Sequence, residues 1–181
     1  ISHAGFILVG MEAAGHDSFG YGGPSVANYL LLYSVLTIGT FAVVALVGRS
    51  NGGDTSIGAF AGLSQRRPTL ALALTVFVLA QAGVPFTSGF VAKFGVIEAA
   101  VEEGSYELAI IAMLAAVIGA FRYLRVMVTT GLDAGDSSVE REPVPFATGV
   151  SVVLAAAFTL AVGLWPGLVL DAVDNVTQYA R

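Results

Sequence analysis

The sequence predicts an all-α protein whose helices form a polytopic bundle in a lipid bilayer. Hydrophobic residues make up 56% of the 181 residues and charged residues only 12%, whereas soluble domains carry about a quarter charged residues. A soluble fold of this length has no interior large enough to bury so much apolar surface, so lipid must solvate much of it. We expect a single membrane domain over residues 1–181, with about five helical segments, one of them discontinuous.

The composition argues against several other classes of function. The chain contains no Cys, which removes disulfides and thiolate metal sites. The sequence has no zinc-ligand spacing, no Gly-rich phosphate loop and no basic face for nucleic acid. We therefore predict no catalytic, cofactor-binding or metal site in this chain and no nucleic-acid partner.

The first two apolar segments differ in length. Residues 2–12 would form only about 16 Å of helix, which is half of the roughly 30 Å hydrocarbon layer. We expect this helix to be truncated, with its first half upstream of residue 1. Residues 25–48 are long enough to span the bilayer with some tilt, and Pro24 precedes them at a position that helices tolerate.

The third segment, residues 69–100, is too long for one simple span and contains a proline in its middle. Pro85 removes a backbone donor and disrupts the preceding helical turn, and Gly83 and Gly89 flank it. Thr87 or the residue after it could cap a restarted helix. We predict two half-helices with a break between them. Transporters place ion sites at such breaks, although a proline kink that serves only packing would give the same pattern.

The fourth and fifth segments, residues 106–130 and 146–164, complete the bundle, and the loop charges predict its orientation. The loops that follow the second and fourth segments contain Arg49, Arg66, Arg67 and Arg141. The loops at 12–23 and 102–105 contain no Lys or Arg. With alternating directions, both basic loops fall on one side, which the positive-inside rule makes cytoplasmic. The C-terminus is then predicted on the outer side.

Lys93 gives the sharpest functional signal. It is the only Lys in the chain, and it lies inside an apolar run shortly after the predicted break. An ammonium in hydrocarbon is costly, so such residues face protein or water and are usually functional. A buried Lys could load and release a proton during a working cycle. The alternative is a side chain that snorkels to the interface near Glu98, itself a weaker candidate for an exit path.

His3 and Arg122 are weaker candidates for a proton path. His3 suits a proton relay if its helix lies inside the membrane, but a polar core residue bonded to a neighbouring helix fits equally well. Arg122 could line an aqueous path. It lies three residues before Arg125 on roughly one helix face, and interfacial anchoring is the favoured interpretation for both.

The order and spacing of several motifs resemble one family of membrane proteins. The motifs are ISHAGF at 1–6, AGVPFTSGFVAKF at 82–94, FRYLRV at 121–126 and LWP at 164–166. Over nearly the whole chain, the sequence resembles the antiporter-like membrane subunits of bacterial NADH–quinone oxidoreductase (respiratory complex I), the N subunits in particular. Multi-subunit sodium/proton antiporters share this family.

The resemblance implies a larger fourteen-helix fold with inverted repeats, of which this chain would form the last five segments. Lys93 matches the family's essential Lys in the second broken helix. The implied function is a proton-translocating, multi-pass subunit of a bacterial inner membrane that couples quinone reduction to proton pumping. It would perform no redox chemistry itself, because flavin, iron–sulfur clusters and quinone would bind to partner subunits. The alternatives are a subunit of a sodium/proton antiporter and a helical scaffold without transport.

Overall fold

A computed structural model describes residues 2–16, 22–133 and 143–179, and every regular element in these ranges is helical. This finding confirms the predicted all-α class. The helices are α1 (Ser2–Gly15), α2 (Gly22–Ser50), α3 (Leu63–Arg66), α4 (Pro68–Ala82), α5 (Ser88–Glu102), α6 (Tyr106–Leu132), α7 (Phe146–Leu164) and α8 (Gly167–Tyr179), with a 3₁₀ turn at Ile57–Phe60. Arg141, one of the arginines on which the predicted orientation rests, lies outside the described residues.

Among the described helices, α2, α6 and α7 are long and apolar enough to cross a membrane. Helix α6 presents an exposed apolar stripe at helical spacing, formed by Leu114, Val117, Ile118 and Phe121, whose side chains are 60% to 75% exposed. Such a stripe would be unfavourable in water, and it fits contact with lipid or with neighbouring membrane helices. The prediction of a polytopic membrane bundle is therefore confirmed.

Helix α2 lies in the middle of the bundle and contributes to both buried clusters. In its first half, Tyr29 and Leu32 belong to a cluster with Phe6 of α1 and Val96 of α5. In its second half, the buried residues pack against α4 and α7, with the ring of Phe77 fully buried at the centre. The half-helices α4 and α5 therefore both pack against α2. In the interval between them Thr87 is buried, whereas residues 84–86 are exposed on the surface of the bundle.

Side-chain hydrogen bonds define the two ends of the bundle. At one end, the Ser64 hydroxyl donates to the carbonyl of Gly131 at 3.1 Å, which joins the loop after α2 to the end of α6. Arg66 belongs to the same end, where its guanidinium donates to a loop carbonyl. At the other end, the Ser105 hydroxyl donates to the Glu12 carboxylate at 3.0 Å. The described basic loop and the acidic helix ends therefore lie at opposite ends of the bundle.

Helix α8 lies outside the five segments that the sequence predicts. Two of its apolar residues lie one turn apart and face the bundle, whereas Leu168 is 65% exposed. Val169 is buried and Val173 packs beside it against the cluster around Phe6, while Asp171 is exposed. The helix is amphipathic and depends on this packing, which a hydropathy pattern dominated by transmembrane segments does not reveal.

Candidate functional site

Residues 83–87 separate α4 from α5. Helix α4 ends on Gly83, whose φ of 92° is a left-handed conformation that glycine adopts without penalty. The N–H of Gly83 donates to the carbonyls of Leu79 and Ala80, at 3.1 and 2.9 Å, and the N–H of Val84 also donates to Leu79. These bonds pair two of the last carbonyls of α4, and the chain then leaves the axis of α4.

Helix α5 starts again at Thr87, which is buried and has an extended backbone. Its hydroxyl accepts a hydrogen bond from the N–H of Phe90 at 3.4 Å and donates to the carbonyl of Val84 at 2.6 Å. A threonine at this position satisfies a free N–H of the first turn. The same hydroxyl therefore caps α5 and ties the cap to the chain leaving α4.

Glycines allow backbone to approach backbone around the break. A Cβ on Gly89 of α5 would collide with the carbonyl of Ala80 in α4. A Cβ on Gly163 of α7 would collide with the carbonyl of Phe86, a residue held at the unusual φ of 66°. Three helices thus meet at the break without side chains between them.

The ammonium of Lys93 binds the free end of α4. The side chain is 8% exposed, and Nζ donates to the carbonyls of Gln81 at 2.7 Å and Ala82 at 3.1 Å. A helix leaves its last four carbonyls without N–H partners. Here Leu79 and Ala80 are paired by the turn, and the other two are paired by Lys93. The cation also lies at the negative end of the α4 dipole.

Two side chains complete the surroundings of the ammonium. The Phe6 ring centroid lies 5.5 Å from Nζ, within the range of a cation–π contact. The amide of Gln81 turns towards α2 and donates to the hydroxyl of Thr40 at 2.6 Å, which anchors the end of α4. Lys93 is thus directed to the break, whereas snorkelling would direct it towards Glu98.

His3 lies at the centre of a second polar group, which we call the tyrosine–histidine cluster: His3, Tyr29, Tyr33 and Tyr123. Its Nδ1 lies 2.8 Å from the hydroxyl of Tyr29, and its Nε2 lies 2.8 Å from the hydroxyl of Tyr123. The imidazole stacks on the ring of Tyr33, with the ring centroids 4.3 Å apart. This imidazole therefore joins α1, α2 and α6 through its own ring atoms.

The Phe6 ring contacts both polar groups. One contact is with the Lys93 ammonium, and the other is a stacked arrangement with Tyr29 at a centroid distance of 5.9 Å. Phe6 is 2% exposed. Lys93 and the tyrosine–histidine cluster are therefore neighbours linked by one apolar ring.

The structure brings Lys93 and Gly83 together but leaves Arg122 apart. A Cβ on Gly83 would lie 3.2 Å from the Lys93 side chain. Arg122 and Arg125 are exposed on α6, a position that suits interfacial anchors. In the same stretch, Tyr123 is the residue that reaches His3.

A cavity of about 290 Å³ opens at the end of the bundle that contains Glu12 and Ser105. Its lining includes the carboxylate-bearing residues Glu98 and Glu102 of α5 and the buried Asn28 of α2. Within residues 2–16, 22–133 and 143–179, no three His, Asp or Glu side chains are grouped as a metal site would require. The absence of cofactors and metals from the chain stays a prediction.

Sequence reasoning missed Tyr29, Tyr123 and Gln81. Each is a polar side chain inside an apolar helix, and this feature of the sequence could have identified them as candidate functional residues. Tyr29 and Tyr33 also lie one helical turn apart, on one face of α2. Their pairing with His3 joins residues far apart in the chain, so local spacing gave no indication of it.

The fold and the site together define a polytopic helical membrane protein with a lysine buried at an interrupted helix. The family model described as NADH:quinone oxidoreductase/Mrp antiporter, transmembrane, matches residues 1–119. The chain belongs to this family, and the resemblance found in its motifs is confirmed.

Individual relatives agree with this assignment. The chain is 40% identical to NADH-quinone oxidoreductase subunit N 3 of Streptomyces griseus, over 100% of this chain and 32% of that protein. It is 39% identical to NADH-quinone oxidoreductase subunit N of Bdellovibrio bacteriovorus, over 97% of this chain and 36% of the relative. The chain thus spans about one third of the length of these curated relatives.

Two solved structures share the fold. Respiratory complex I from Thermus thermophilus contains a chain that matches with a TM-score of 0.69 and 26% identity, over 94% of this chain and 37% of that one. The membrane-bound sulfane sulfur reductase, an archaeal respiratory membrane complex, matches with a TM-score of 0.75 and 28% identity, over 86% and 31%.

We predict that Gly89→Ala destabilises the break. The added methyl group would meet the Ala80 carbonyl, and overpacking of this kind costs about 1–3 kcal/mol. Gly95→Ala is the matched control, because Gly95 lies in the same helix and has open space around it. Thermal unfolding of the detergent-purified natural protein should show a lower midpoint for Gly89→Ala only. Equal midpoints for both variants would mean that α4 and α5 do not approach as described.

Proposed function

We propose that this chain is part of a proton-translocating membrane subunit of a bacterial NADH–quinone oxidoreductase, and that Lys93 carries a transported proton. The observation that supports this role is a buried ammonium bonded to the backbone carbonyls of an interrupted helix. Intramembrane lysines with such surroundings mark ion pathways, and half-helix ends coordinate ions in other transporters.

The ligands of Lys93 suit a group that gains and loses a proton. A charged amine has three N–H donors, and the carbonyls of Gln81 and Ala82 use two of them. A neutral amine keeps two donors, so both bonds can persist when the third proton leaves. A carboxylate partner would instead oppose the loss of that proton. The side chain can therefore stay in place in either protonation state.

The neighbouring polar groups supply a route on each side. Past Phe6, His3 and the hydroxyls of Tyr29 and Tyr123 contain exchangeable protons and form the proposed inner route. Towards the outer side, α5 leads to Glu98 and the cavity that it lines. Glu98 is the proposed exit group, and Arg122 acts as an anchor beside the inner route.

The rest of the assembly follows from family membership and is proposed with it. Redox chemistry takes place in partner subunits that hold flavin, iron–sulfur clusters and quinone, and this chain contributes none. Coupling acts through electrostatic interaction among buried charges. The chain lies in the bacterial inner membrane, with its basic loops in the cytoplasm and its C-terminus outside.

We predict that Lys93→Ala lowers NADH-driven proton pumping by about tenfold or more, because the loss of a positioned proton carrier has effects of this size. The measurement is the initial rate of proton uptake in membrane vesicles, per amount of assembled complex, with the variant in the natural full-length subunit. Arg125→Gln is the control, since it removes an exposed cation from the same domain and should keep the rate within about twofold.

Unchanged pumping by Lys93→Ala would contradict the proposal. Lys93→Met separates the proposal from the scaffold alternative. Methionine fills a similar space without a proton, so a scaffold predicts normal pumping in this variant and a proton carrier predicts its loss.

A sodium/proton antiporter subunit is the second candidate, because the matching family model covers Mrp antiporters as well. The two functions differ in the energy source that drives proton movement. We expect vesicles that contain the natural protein to show no sodium-dependent proton exchange when NADH is absent. Exchange driven by a sodium gradient alone, and lost in Lys93→Ala, would favour the antiporter.

A further inference from the structure

We propose that Tyr29 and Tyr123 form, with His3, a directional proton relay across the middle of the bundle. This inference rests on the proposed function, and it adds two proton-carrying hydroxyls that the sequence did not suggest. Its basis is geometric: both nitrogens of a single imidazole lie 2.8 Å from tyrosine hydroxyls on different helices.

The chemistry of a neutral imidazole gives this arrangement a direction. One ring nitrogen carries a hydrogen and donates, while the other accepts. The two hydroxyls must therefore have opposite roles, one donating to the ring and the other accepting from it. The result is a continuous chain of hydrogen bonds that points one way, and exchange of the imidazole tautomer reverses it.

One transfer along this chain balances without a change in net charge. Tyr123 donates its hydroxyl proton to Nε2 of His3 and receives a proton from water on its own side. Nδ1 gives its proton to the oxygen of Tyr29, whose original proton passes to water on the other side. One proton has then crossed the cluster, and the imidazole carries its hydrogen on Nε2 instead of Nδ1. Reorientation of the imidazole together with rotation of both hydroxyls restores the starting state.

The relay is placed to connect the two halves of the bundle. At 1.5 Å per residue, Tyr29 lies about 10 Å from the start of α2. Tyr123 lies about 14 Å from the end of α6, on the side of the arginine-containing loop. His3 joins them between these levels. Tyr29 and the Lys93 ammonium both contact the Phe6 ring, so the Tyr29 end of the relay lies beside Lys93.

Tyr33 provides a matched control within the same cluster. Its ring stacks on the imidazole at 4.3 Å, but both imidazole nitrogens already bind the other two hydroxyls. Tyr33→Phe keeps the stacked ring and removes a hydroxyl that the relay does not use. Tyr29→Phe and Tyr123→Phe keep their rings and remove hydroxyls that it does use.

The test is NADH-driven proton pumping in membrane vesicles, per amount of assembled complex, for each variant of the natural full-length subunit. Tyr29→Phe and Tyr123→Phe should each reduce pumping by about tenfold, and Tyr33→Phe should stay within about twofold. The double variant should be no slower than the slower single variant, because a chain in series is already broken by one gap.

Pumping by Tyr29→Phe and Tyr123→Phe at the rate of Tyr33→Phe would overturn the relay. So would additive losses in the double variant, which indicate a structural role. In either case the Lys93→Ala variant tests the proposed function separately. If Lys93→Ala loses pumping, the proposed function stands without the relay. If Lys93→Ala still pumps, the proposed function is contradicted as well. Where a phenylalanine variant assembles poorly, a fluorotyrosine at the same position supports the relay by a shifted pH profile of pumping and overturns it by an unshifted one.

Discussion

The bonds from the Lys93 ammonium to the carbonyls of Gln81 and Ala82 are the interaction on which the site depends. An open helix end inside a bilayer leaves carbonyls unpaired at a cost of several kcal/mol each. An ammonium at the same depth is also costly. Here the ammonium donates to the unpaired carbonyls, which offsets both costs. The interrupted helix and the buried lysine therefore stabilise each other.

This pairing requires close packing around the break. Gly89 brings α5 against the carbonyl of Ala80, and Gly163 brings α7 against the carbonyl of Phe86. The bond from Gln81 to Thr40 fixes the end of α4 on α2. With the backbone held from three sides, the lysine can exchange a proton while the helix ends remain in place. The proposed function requires both features: a backbone that keeps its position and a lysine that gains and loses a proton.

Hydropathy and the positions of proline and glycine in the sequence predicted part of the fold and of the site. Hydropathy located the apolar segments that become α2, α6 and α7, and Pro85 with its flanking glycines located the interval between α4 and α5. The amphipathic α8 is not among the predicted segments, because Val169 and Val173 pack against a cluster formed by residues that are distant in the chain. The contacts of His3 with Tyr29 and Tyr123 were missed for a related reason: they join residues distant in the chain, which no periodic pattern encodes.

The most direct test of the central claim is chemical replacement of the amine at position 93. Lys93→Cys in the natural protein places a thiol at the break, which 2-bromoethylamine converts to a lysine-like aminoethyl side chain. The protein without this substitution, treated in the same way, is the control for reaction at other thiols. We predict that pumping is lost in Lys93→Cys and returns after aminoethylation and removal of the reagent, but not after ethylation. Equal recovery with the neutral ethyl group, or pumping by untreated Lys93→Cys, would show that the position needs volume rather than a protonatable amine.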